Sequence, residues 1–359
     1  MKKFLLIVVG VVAVGLTLRY TVVKPGSSSS KKELKPPETV TAPQPPPSSL
    51  SEKQQPSEPA PAPREPESPP PPPRIAGSIE LTEAQTQELV PAGDKLYYCD
   101  GGSLMAVGKQ GDEPAERVAY CDQIFDFVAD AHGVFYCQSE QLLRVTVGVP
   151  DSKVVAASTP CIMGALDGKY AYFMVPGFER EEGEEAPEPG VYRVARTGGT
   201  PERIHATRPK EQFSLAVDDE ALWIGAWSAG TISKLAKTPG AKAKTIITGQ
   251  KGLVDLAVDG GSLYWHVENP GEVRRRKKTG GKVETLAKNV EVEQVLALAG
   301  HVYWFEGGEG EDKRLMHLAP GAPKAFEMAG GLRTPAMEGD ADGIYVSELD
   351  REGIFMFKR

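Results

Sequence analysis

Seven times between Leu96 and Val346 the chain repeats a three-residue unit in which an apolar residue leads into aromatic or further apolar ones. The units are Leu96-Tyr97-Tyr98, Val134-Phe135-Tyr136, Ala171-Tyr172-Phe173, Ala221-Leu222-Trp223, Leu263-Tyr264-Trp265, Val302-Tyr303-Trp304 and Ile344-Tyr345-Val346. Their third positions lie 38, 37, 50, 42, 39 and 42 residues apart, which is the period of a four-stranded propeller blade and not of a helical repeat. Val, Ile, Tyr and Trp interrupted by turn residues every few positions leave no room for a helical apolar stripe.

Each unit is preceded by a small apolar strand and a turn rich in Asp and Gly, as in 253–261 (LVDLAVDGG) and 213–219 (FSLAVDD), the pattern of a tight hairpin. A Gly-led strand follows, as in Gly230-Thr231-Ile232-Ser233 and Gly271-Glu272-Val273-Arg274, and then a last strand such as 245–248 or 283–287. Four short strands per period predict an all-β, seven-bladed β-propeller over residues 78–359. The seventh repeat reaches only a third strand, Gly353-Ile354-Phe355-Met356-Phe357. Ser78-Ile79-Glu80-Leu81 alternates like an outer strand, so the expectation is that 78–81 completes the last blade and removes an exposed sheet edge.

Leu263-Tyr264-Trp265 with Gly271-Glu272-Val273-Arg274 and Gly280-Gly281, together with Leu222-Trp223 and Gly230-Thr231-Ile232, resembles the YWTD-type repeats of bacterial extracytoplasmic propellers. The resemblance covers roughly Ser78 to Arg359 at the level of the repeat; repeats one and three match it poorly. It implies the fold and a habit of binding partners, and it carries over no catalytic residue.

Ahead of the repeats the composition changes. Seventeen of the 31 prolines fall between Pro25 and Pro73, so residues 24–77 read as a disordered linker that lacks the apolar surface to offset ordering entropy. Residues 1–23 contain a hydrophobic stretch, 4–23, whose length suits a transmembrane helix. The rival is a cleaved signal segment with a small-residue site at Ala13-Val14-Gly15. Positive charge lies on both sides of the stretch and leaves orientation open. The four cysteines favour an oxidising compartment, so the expected placement is the inner membrane, single-pass, with the propeller in the periplasm, or secretion there after cleavage.

Cys99 and Cys137 each follow an aromatic unit, and Cys121 and Cys161 each sit in the connection to the next blade, at spacings of 22 and 24 residues. All four belong to one predicted face. Pairing Cys99 with Cys121 and Cys137 with Cys161 would use one solution twice; Cys121 with Cys137 is the rival. A zinc site is disfavoured, since no two cysteines stand two to four residues apart.

Of the five histidines, His132 and His301 read as solvent-exposed turn residues, whereas His266 occupies the position at which blades one and two place cysteines. Asp130, Asp167, Asp218, Asp259 and Asp342 recur between the first two strands of their repeats, where Asp accepts backbone N–H groups; no metal or cofactor is expected from them. The basic run 274–278 (RRRKK) reads as a blade rim and not as an anion site. A net charge of −8 argues against nucleic acid. Acidic loops at 179–188 and 306–312 fall on the same predicted face as Trp227 and His266.

The functional expectation is a membrane-tethered, non-enzymatic protein-binding or scaffolding module. Its partner would be an envelope protein or a cell-wall component, engaged through Trp227, His266, Glu181, Glu182 and Glu306. The alternative is a propeller-type hydrolase or lyase with a site at the channel mouth, which needs His and acids converging there. Neither a phosphate loop, a zinc helix motif nor a dinucleotide fingerprint is present.

Overall fold

Every aromatic unit falls in the second strand of a four-stranded antiparallel sheet, and there are seven such sheets. The computed structural model describes residues 78–358 apart from 85, 87, 121–126, 139–140, 147–148, 150–152, 157–160, 176–187, 209–212, 239, 309–311, 334–335 and 349–351, and without the side chain of Met163. The expected membrane segment and linker, Cys121, Glu181 and Glu182 lie outside the described residues.

Within each sheet the strands run a, b, c, d outward. Each strand a touches strand a of the next sheet, and strand a of blade 7 (Ala336–Gly339) touches that of blade 1 (Leu89–Ala92). The sheets are therefore blades around a closed ring: the fold is a seven-bladed β-propeller.

Strand b is covered on both sides, which explains why it reads as a continuous apolar run instead of alternating. All six residues of Ala221–Ala226 in blade 4 and of Gly343–Glu348 in blade 7 are buried. Alternation still decides which neighbour each side chain meets. The third residue of strand b faces the following blade: Trp223 packs with Leu263 and Trp265 of blade 5, Tyr264 with Val302 and Trp304 of blade 6, and Tyr303 with Ile344 and Val346 of blade 7. Seven aromatics at this one position fill seven wedge-shaped gaps.

Two sets of polar contacts bind blade to blade. Around the channel, bulges interrupt the a–b pairing between Leu253 and Leu256 and between Val292 and Val295, and free backbone groups that turn to the adjacent blade. Asp255 Oδ2 accepts from the Val295 N–H at 2.8 Å. Gln294 accepts from the Met337 N–H at 2.9 Å and donates to the Met337 carbonyl at 2.7 Å.

On the face formed by the a–b and c–d turns, here the lower face, the recurrent aspartates do more than cap their turns. Asp218 Oδ1 accepts from the N–H groups of Glu220 and Ala221, and its Oδ2 accepts from Trp223 Nε1 at 2.9 Å and from Lys278 Nζ of blade 5 at 2.9 Å. Asp167 repeats this with Lys169 and Tyr170 N–H, the Tyr172 hydroxyl and Lys237 of blade 4. Asp130 takes Arg196 of blade 3, and Asp340 takes Lys109 of blade 1 across the ring closure. In blade 7 the acceptor is thus Asp340, with Asp342 donating its own N–H to it; the expectation placed that role on Asp342. Asp259 departs differently, since its Oδ2 meets the Gly300 N–H of blade 6.

Ile79–Glu83 pairs antiparallel with Gly353–Lys358 and is strand d of blade 7, so the last blade takes three strands from one end of the repeat region and its outermost strand from the other. Leu81 is buried there in a cluster with Tyr98 of blade 1 and Tyr345, Ile354 and Met356 of blade 7.

Candidate functional site

The b–c and d–a connections share the opposite, upper face. In blade 4 the b–c turn carries Trp227, a large apolar side chain that is 37% exposed. Its backbone is held on three sides. Gly230 N–H donates to the Ala226 carbonyl at 2.9 Å, Gln250 N–H to the Gly230 carbonyl at 2.8 Å, and Gly252 N–H to the Trp227 carbonyl at 3.2 Å. Gly230 has φ +60°, and a Cβ there would lie 2.5 Å from Lys251 N. Glycine is thus required both for the left-handed backbone and for the close approach of the d–a connection. Gly271 solves the same problem in blade 5, at φ +77°.

His266 lies in strand b of blade 5 (Ser262–Val267) and is 2% exposed. It shares with Tyr264 the side of the strand that faces blade 6. Burial holds its imidazole well below the ordinary histidine range, at about 4, and Nδ1 has no hydrogen-bond partner. The ring is therefore neutral at physiological pH and is enclosed between blades.

Glu306 closes strand b of blade 6 (His301–Glu306) and is half-buried, accepting from Trp304 Nε1 at 3.3 Å and paired with Arg314. Asp312 pairs with Arg333 at 2.8 Å, Glu293 with the buried Lys313, and Glu188 with Arg203. Each of these four acids has a basic neighbour.

Cys137 and Cys161 are joined, with Cα atoms 5.7 Å apart, linking strand b of blade 2 to the start of blade 3. Loop closure over 24 residues is worth about 3.5 kcal/mol in the chain-entropy account. This bond excludes the Cys121–Cys137 rival. Cys99 is half-buried at the equivalent position of blade 1.

The reading of His301 is corrected. His301 is not an exposed turn residue: it begins strand b of blade 6, half-buried, with its Nδ1 2.7 Å from Nε2 of His317 on strand c, and both rings stack on Tyr303. The register pairs Tyr303 with His317, so this contact is diagonal across strands, a relation that spacing along the chain does not reveal. Four side chains of the basic run have partners. Arg274 donates to Gln250 and Glu272, Arg275 to Glu284, Arg276 to the carbonyls of Ile246 and Gly281, and Lys278 to Asp218. Among the described residues no group of three or more His, Cys, Asp or Glu is placed to hold a metal ion.

No family model matches the chain, and no curated protein is significantly similar to it. Solved structures do resemble it. A catalytically inactive histidine-to-alanine variant of virginiamycin B lyase from Staphylococcus aureus with quinupristin superposes with TM-score 0.60 at 13% identity, covering 79% of this chain and 98% of the lyase. YCF48 from Cyanidioschyzon merolae gives 0.56 at 9% identity over 78% and 98%. A puromycin-hydrolyzing peptidase from Mycobacterium tuberculosis gives 0.54 at 14% identity over 81% of this chain and 55% of the peptidase. At such identities the likeness is one of fold.

Proposed function

We propose that this chain is a non-enzymatic protein-binding or scaffolding propeller of a bacterial cell envelope, tethered to the inner membrane by residues 4–23 and displayed in the periplasm on the Pro-rich segment 24–77. Its partner is another envelope protein or a cell-wall component, met by the upper face. The repeat-level resemblance to YWTD-type extracytoplasmic propellers supports this placement. The observation that carries the reading is Trp227: an exposed indole on a turn fixed by three backbone hydrogen bonds and a glycine no other residue replaces. A pre-ordered aromatic anchor loses little conformational entropy on association, which is why such residues dominate binding energy at interfaces.

The test is proximity labelling in the native host with the intact chain, comparing wild type, Trp227→Ala and a variant with Glu181, Glu182 and Glu306 neutralised. One envelope protein labelled by wild type, lost at least tenfold with Trp227→Ala and with melting temperature unchanged, is the expected outcome. The same labelled set from every variant would refute the upper face as the binding surface. The alternative of hydrolase or lyase activity, kept because the lyase and the peptidase share the fold, would then be examined at the channel.

A further inference from the structure

The lower face holds an open pocket of about 470 Å³ between blades 2 and 3, on the opposite side of the disc from Trp227. His132, Arg144, Lys169, Tyr170, Arg196 and Thr197 line it, and among the described residues no carboxylate does. The repeat explains how the bases arrive there. Asp130 fixes the a–b turn of blade 2 through the His132 N–H at 2.8 Å, and Asp167 fixes that of blade 3 through the Lys169 N–H at 2.8 Å. Both turns deliver a basic side chain to the same wall.

The acids of the two a–b turns are already engaged: Asp130 with Arg196, Asp167 with Lys237 and Tyr172. Arg144 and Lys169 form no ion pair among the described residues. Arg144 is poised by packing instead, since its guanidinium and that of Arg196 lie 5.4 and 5.5 Å from the centre of the Phe135 ring. Its one hydrogen bond among the described residues is a long one, 3.4 Å to the His132 carbonyl, and its buried Nε has no acceptor among them. In a chain of net charge −8, two cations around one cavity with no acid partner among the described residues, one of them a planar guanidinium fork, are the donor set of an anion site.

We propose that this pocket binds a dianionic phosphate group, free or as the monoester of a small organic molecule. The charge argument selects it: Arg144 and Lys169 together present two positive charges, which a dianion neutralises and a single carboxylate does not. The volume suits a small ligand, and the Tyr170 ring offers an apolar wall to an organic body.

The experiment is calorimetric titration of the full-length protein at constant ionic strength with inorganic phosphate, glycerol 3-phosphate and acetate, repeated for Lys169→Gln and Arg144→Gln, with phosphorus NMR line widths as a second readout. Expected are saturable binding of phosphate by wild type, acetate at least tenfold weaker, a loss of tenfold or more in Lys169→Gln and no detectable binding in Arg144→Gln. Glycerol 3-phosphate binding more tightly than phosphate would identify an ester as the natural class; the reverse order would identify the free ion. No saturable binding at millimolar phosphate, equal affinity for acetate, or unchanged affinity in Lys169→Gln would each overturn the proposal. Lys169 is exposed and decides the matter alone if Arg144→Gln does not fold.

Discussion

His266 shows what one side chain contributes when its partner is missing. The folded state holds its pKa near 4 by burial, against an ordinary value of about 6.5 in the unfolded chain. Between those limits the unfolded chain binds the extra proton, so stability is complete above about pH 6.5 and drains away as pH falls toward 4. The full effect amounts to about 3 kcal/mol. Blade 6 places Phe305 at the equivalent strand position, buried and without a polar atom, so His266→Phe is the substitution that the repeat itself recommends. Urea unfolding at pH 7 and pH 4.5 should give a difference for wild type that shrinks by most of that amount in His266→Phe; equal pH dependence in both would contradict the enclosed ring. The position of His266 in the repeat was legible in the sequence. Its burial was not, because strand b of blade 5 is covered on both sides only once blades 4 and 6 pack against it.

At the scale of the element, the Asp-centred staple separates contacts that matter from contacts that merely exist. Asp218 gathers two backbone N–H groups, the Trp223 indole and Lys278, with both charged side chains more than four-fifths buried. Burial alone would raise its carboxyl pKa, but the bonds from Lys278, Ala221, Trp223 and Glu220 outweigh it and hold the carboxyl below the ordinary range. Asp218→Ala strands an indole N–H and an ammonium inside the blade junction and should cost about 2–4 kcal/mol. Glu220, two residues away, pairs with Lys234 at 2.8 Å on the open surface, and Glu220→Ala should leave the unfolding midpoint where it is. Chemical denaturation of the two variants side by side checks the contrast. The sequence disclosed the aspartates and the turn chemistry. It did not disclose the cation, since each comes from the blade after, 60 residues downstream for Lys278 and Asp218, and the run that contains Lys278 read as a basic blade rim.

The whole molecule depends on its ends meeting. Seven aromatic units were enough to count the blades because strand b must be apolar in each of them, whatever the loops do. The insertions that stretch one period to 50 residues leave that requirement untouched. At the junction, strand d of blade 7 is attached to its blade by pairing and by the packing of Leu81, and not by a turn. Removing residues 79–83 deletes one ladder and the buried Leu81, a loss of about 5 kcal/mol at roughly 1 per hydrogen bond and 2 for the side chain. Calorimetry should show a lower and broader transition, and a sharp transition at the wild-type temperature would mean that the junction is held by other contacts.

Time gives that junction another meaning. Lys109 is made among the first residues of the ring, and Asp340, its partner, 231 residues later; the strand at 79–83 waits longer still, for 353–358. At roughly 5–20 residues per second, a ribosome leaves the first blade without its neighbour for some tens of seconds. Each later blade finds the one before it already in place, whereas the first is completed only by the last. Any chain that stalls short of its final strand therefore leaves blade 7 without its two outer strands and blade 1 without the cover that they give it, so its incompleteness shows at both ends.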